Sequence, residues 1–175
     1  MENRQIKIGI IGQPNHGKKT LINAINSYFD NDYKYVNFEG NIDYIRNMAM
    51  NNETMNTAIL VIDVNEGTMP QTREHILYAK QLGVENVVVF LNKCDSITNL
   101  ENLKSVKAEV IDLLFSYGFD VENISVISGS ALKAIEGSSE YKEKIAELMH
   151  TANQILLSSE KDVDKPSLHI WIYEH

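Results

Sequence analysis

Short apolar runs alternate with longer stretches of helical periodicity along this chain. The runs are QIKIGII (5–11), YKYVNF (33–38), TAILVID (57–63), NVVVFL (86–91) and NISVIS (123–128). Most are near-continuous and rich in β-branched residues, the pattern of strands buried on both faces. Leu103, Val106, Val110, Leu113, Leu114 and Tyr117 recur at helical spacing, as do Tyr141, Ile145, Leu148, Met149, Ala152, Ile155 and Leu156. Each stripe can cover one face of a sheet. Shorter helices are predicted over 18–29, about 41–51 and 71–82. The alternation predicts an α/β fold, a three-layer α/β/α sandwich around a mostly parallel sheet.

The polar stretch SSEKDVDKP, before SLHIWIYEH, is the one clear break. It divides a single domain over 1–160 from a tail over 161–175, which either adds an edge strand or docks as a loose end. A length of 175 residues suits one domain with a sizeable core. The formal charge of −8, from 24 acidic and 16 basic residues, argues against a broad footprint for nucleic acid or anionic membrane. Any phosphate recognised here is held locally. Cys94 is the single cysteine, which excludes an internal disulfide, and the start MENRQIKIGI lacks the apolar stretch of a signal peptide. A cytoplasmic protein with no membrane association is expected.

Three polar motifs each follow a predicted strand. GQPNHGKKT (12–20) has the G-x-x-x-x-G-K spacing of a phosphate-cradling loop. Asn15, His16, Gly17, Lys18, Lys19 and Thr20 are its candidate phosphate-binding residues. Backbone N–H groups of such a turn and of the following helix converge on an anion, and Lys18 adds a point charge. The plainer alternative is an ordinary strand-to-helix turn with two exposed lysines. NKCD (92–95) follows the fourth run. There the Asp95 carboxylate can accept two hydrogen bonds from guanine's ring N–H and exocyclic amine, a pairing adenine does not offer. Asn92 would tie this loop to the phosphate loop and the Lys93 stem can lie across the base. The bland reading is a polar turn with Asp95 as a helix cap. GSALKA (129–134) follows the fifth run, where N–H groups of Ser130, Ala131 and Leu132 can face the guanine carbonyl. Each motif lies at the carboxyl end of a strand, where α/β sheets bind ligands.

Together these residues resemble the guanine-nucleotide domain of the translational GTPases, elongation factor Tu in particular. The resemblance is carried by ILVIDVNEGTMPQTREHILYAKQLGVENVVVFLNKCD (59–95) and GSALKAIEG (129–137), with IDYIRNM (42–48) and PNHGKKTL (14–21) in support. It implies a P-loop G-domain fold and GDP or GTP as ligand. It also implies several departures. Lys19 stands where the family has a magnesium-binding hydroxyl, with Thr20 behind it. NFEG (37–40) replaces the family's D-x-x-G, so Asn37 takes the place of a metal-facing aspartate. Asn41 occupies the position of the family's catalytic histidine. The first switch region is reduced to about SYFDNDYKY, and no threonine occurs between Thr20 and Thr54. One strand of the family sheet is expected to be missing with it.

The losses fall on metal binding and hydrolysis, whereas the base-reading motifs and Lys18 remain. The expectation is a guanine-nucleotide-binding pseudo-GTPase that turns over very slowly or not at all, with magnesium weakly bound or not required and no catalytic residue assigned. A Lys19 ammonium near the metal position would offset phosphate charge without orienting water octahedrally; the alternative has it facing solvent. A second reading is an interaction module or decoy that imitates the elongation factor surface toward its exchange factor or ribosomal partners. A third is a residual GTPase completed in trans. The chain stops where the family continues into two β-barrel domains, so tRNA binding is not expected. His75, His150, His169 and His175 have no metal-ligand spacing. Met48, Met50, Met55 and Met69 either form an adaptable apolar surface or pack in the core.

Overall fold

The computed structural model describes residues 7–29, 34–37, 55 and 57–160. Five strands, β1 (Lys7–Ile11), β2 (Lys34–Asn37), β3 (Thr57–Asp63), β4 (Asn86–Asn92) and β5 (Ser125–Ser128), form one sheet in the order β2-β1-β3-β4-β5. All four pairings are parallel. Among the described residues five α-helices accompany them: α1 (Lys18–Tyr28), α2 (Pro70–Gln81), α3 (Leu100–Ser116), α4 (Ala131–Ile135) and α5 (Ser139–Glu160).

The continuous apolar runs are explained by two separate cores. On one face Leu60, Ile62, Val87, Val89 and Leu91 meet Ile76 and Ala79 of α2 and Val106, Val110, Leu113 and Leu114 of α3. On the other, Ile59, Val61, Val88 and Phe90 meet Leu21 and Ile25 of α1 and Ile145, Leu148, Met149 and Ala152 of α5. Successive β3 residues therefore serve opposite layers, and each fully buried aliphatic side chain contributes about 1.5–3 kcal/mol. Both predicted helical stripes lie on these faces.

Met55 is buried in the first core, so its use is packing, and Met69 is half-buried at the start of α2. One strand boundary differs from the sequence expectation. Asn123 belongs to a 3-10 turn over Val121–Asn123, so β5 starts at Ser125, because the Asp120 side chain caps that turn through the Glu122 N–H. The GSALKA motif opens the short helix α4, which Ser130 caps by accepting the Lys133 N–H. The predicted helix over 41–51, Asn41, Met48, Met50, His169, His175 and the tail over 161–175 lie outside the described residues. Among the described residues no helix is long and apolar enough to cross a membrane.

Candidate functional site

Three loops leave the C-terminal ends of β1, β4 and β5 and meet at one edge of the sheet. The first runs from Gly12 to Gly17 and enters α1. Gly12 (φ 138°) passes so close to β3 that a Cβ would lie 2.3 Å from the Val61 carbonyl oxygen. Gly17 (φ 96°) would place one 2.2 Å from Asn92 Nδ2. Both positions require glycine, for backbone angle and for space. The left-handed Gly17 is the residue before α1, whose start has no side-chain cap and no acidic residue in its first turn. Its leading N–H groups and dipole therefore favour an anion.

Lys18 is 8 % exposed, and its ammonium donates to the carbonyls of Gly12 (2.6 Å) and Gln13 (3.0 Å). The loop thus holds its own cation beside its N–H groups. Lys19 is exposed one residue later, and Thr20 is half-buried. Asn15 is exposed with φ 71°, and His16 is buried with Nε2 3.0 Å from Glu66 Oε2. His16 supports the turn from below, with Asn92 on its carbonyl.

Asn92, at the end of β4, is the junction. Its amide donates to His16 O at 2.9 Å and its oxygen accepts the Ala131 N–H at 3.0 Å. Cys94 N–H also donates to Gly129 O at 3.0 Å, binding the two base loops directly. Burial pushes the Cys94 thiol up to about 11, and Sγ donates to Leu91 O, so it serves as a packed thiol. Asp95 lies exposed in the 3-10 turn Cys94–Ser96, its carboxylate open to a ligand. Ser130 is buried and its Oγ accepts the Lys133 N–H, whereas Leu132 is half exposed. Since the Ala131 N–H is committed to Asn92, of the three N–H groups expected to face a base it is the one that braces the loop instead.

Lys93 adopts a left-handed backbone (φ 64°), and its ammonium pairs with Asp63 at 2.5 Å. Burial alone would raise the Asp63 carboxyl, but bonds from Lys93 and Asn65 and the Lys93 charge hold it below the ordinary aspartate value. His75 on α2 accepts the Gly12 N–H through Nδ1 at 3.3 Å. Burial, and then the Lys18 charge, hold its imidazole below the usual histidine value, which preserves that lone pair. Asp63, Glu66 and His75 are site-supporting residues that the sequence reading did not assign. The signals available were a carboxylate ending a buried strand and a histidine on the helix face shared with Thr72, Ile76 and Ala79.

Asn37 ends β2, with its Cα paired to Ile10 beside the start of the phosphate loop. Among the described residues no three His, Cys, Asp or Glu side chains form a group that can hold a metal. Thr20 is half-buried behind Lys19, and an ammonium such as that of Lys19 has no lone pair to offer a cation. The chain matches the family described as elongation factor Tu GTP binding domain over residues 30–158. That segment contains both base loops and opens after the phosphate loop, whose assignment rests on the geometry above.

Proposed function

Since the chain belongs to the elongation factor Tu GTP-binding domain family, with the α/β P-loop G-domain fold and guanine-nucleotide binding this entails, we propose that it is a pseudo-GTPase. In this reading 1–160 acts as one domain that holds GDP or GTP and turns over very slowly or not at all. The observation that supports its nucleotide-binding half is Asn92, bridging the phosphate loop and the second base loop in one buried side chain. Such a bridge sets the spacing between an anion cradle and a base slot, which a plain turn does not need.

The phosphates would be held by the α1 N-terminus, Lys18 and the N–H groups around Asn15, His16 and Gly17. Asp95 would select guanine, with Lys93 and the Ser130–Leu132 turn closing the slot. Phosphoryl transfer demands a positioned water and neutralised γ-phosphate charge. Lys19 in place of a metal-binding hydroxyl, Asn37 in place of a carboxylate and Asn41 in place of a water-positioning imidazole remove both. The residues do not fit a family-type magnesium site. Lys19 supplies charge but no coordination, and Lys19→Thr should weaken binding in EDTA while making it depend on magnesium.

Single-turnover measurement of phosphate release from bound GTP tests the proposal. Release no faster than in buffer, with and without magnesium, supports it; magnesium-stimulated turnover supports instead a residual GTPase completed in trans.

A second reading draws on α3. Leu100 is 73 % exposed and Phe115 is 65 % exposed at its two ends. Exposed apolar side chains on a helix beside the base loops suit an interaction module facing partners of the elongation factor type. Cytoplasmic placement is part of the same reading.

A further inference from the structure

Sheet order constrains where each part of a bound nucleotide lies. The phosphate loop follows β1, the base loops follow β4 and β5, and β3 runs between β1 and β4. A nucleotide spanning those loops would pass its sugar over the C-terminal end of β3. Asp63 is the last residue of that strand, in register with Asn92. Its neighbours form a closed ring. Lys93 Nζ reaches Asp63 Oδ2 at 2.5 Å, while Asp63 Oδ1 accepts Asn65 N at 2.9 Å and Asn65 Nδ2 at 3.1 Å. Asn65 Nδ2 also donates to Ser96 Oγ at 2.8 Å, and Ser96 Oγ donates to Lys93 O at 2.8 Å. The ring therefore begins and ends on Lys93, through its ammonium and its carbonyl.

Two physical features make this more than surface pairing. Asp63 is 3 % exposed, so its charge-assisted bonds are little weakened by water. Lys93 also holds a left-handed backbone that non-glycine residues adopt only at a cost, and the Ser96 hydroxyl fixes the carbonyl of that same residue.

The geometry points to Asp63 as a positioning residue for the nucleotide: its carboxylate draws the Lys93 ammonium from β4 back to the end of β3. The aliphatic stem is thereby held along the sugar-to-base span, and Asn65 and Ser96 brace the turn that carries Asp95. This rests on the guanine-nucleotide reading of the site. Asp63 itself acts through Lys93 and does not touch the ligand.

The test is a double-mutant cycle on the affinity for a fluorescent GDP, using wild type, Asp63→Asn, Lys93→Met and the double variant. Each single change should weaken binding by about tenfold, and the double should match Lys93→Met within about twofold, because both remove one interaction. Asp63→Glu, which keeps a carboxylate, should recover most of the affinity. If Asp63 merely braces the fold, the losses multiply to about a hundredfold and the assignment is overturned. Should Asp63→Asn fail to fold, Asn65→Ala in the wild-type and Lys93→Met backgrounds reads the same coupling through the exposed arm of the ring. A wild type that does not bind GDP removes the guanine reading and this assignment with it, whereas a binding wild type with multiplied losses removes this assignment alone.

Discussion

The Asn92 amide donates to the His16 carbonyl at 2.9 Å, across 76 positions of sequence. The same side chain accepts the Ala131 N–H, so three loops depend on one buried residue. Asn92→Ala leaves both a donor and an acceptor buried without partners, at about 1–3 kcal/mol each. Urea unfolding without nucleotide should show a loss of about 2–4 kcal/mol. A loss below about 0.5 kcal/mol, typical of an uninvolved surface site, would contradict the junction role.

Gly17 faces the same amide. An alanine there meets Asn92 Nδ2 at 2.2 Å and must hold φ near 96°. Gly17→Ala should therefore lower the melting temperature and weaken nucleotide binding together. The conformational part alone is worth about 1–2 kcal/mol. Unchanged melting would mean that the loop relaxes without cost.

Acid should loosen the phosphate loop through His75. Its folded value lies below the unfolded 6.5, so folding excludes the proton. The full stability is present above that pH and falls as the pH drops toward the folded value. Asp63, also depressed in the fold from 3.8, adds a further loss as the pH falls through its own folded value. Urea midpoints from pH 8 to 5 should fall more gently in His75→Gln, which cannot titrate. Identical slopes in both proteins would rule His75 out as the cause.

Base selection should follow Asp95. Its carboxylate accepts two N–H groups from guanine, and an amide in its place can accept one and must donate the other. Asp95→Asn should reduce GDP affinity by about a hundredfold, the loss of two charge-assisted bonds, and favour xanthosine diphosphate, which offers an oxygen where guanine has an amine. Retained guanine preference in competition titrations would show that the base is read elsewhere.

The strands of this fold are legible because a doubly covered sheet writes its burial directly into unbroken apolar runs, as TAILVID and NVVVFL do. The α3 and α5 stripes are legible for the same reason, at helical spacing. The places of GQPNHGKKT and NKCD just past β1 and β4 are legible because each motif is local in sequence and follows an unbroken apolar run. What escaped was tertiary. Asp63 reads as a polar strand end until Lys93 is seen 2.5 Å away. His75 reads as one more helix residue until the Gly12 N–H is found on its ring. The Ala131 N–H could not be assigned from SAL alone, since its use depends on Asn92 in another loop.

The central claim is a guanine pocket whose grip does not depend on magnesium. Calorimetric titration of GDP and GTP into nucleotide-stripped protein, with ATP as control, in magnesium and again in EDTA, tests it most directly. The account predicts binding of both guanine nucleotides but not ATP, with affinities that EDTA leaves within about twofold, a difference of roughly 0.4 kcal/mol. Binding abolished by EDTA, equal binding of ATP, or no binding in either buffer would contradict it.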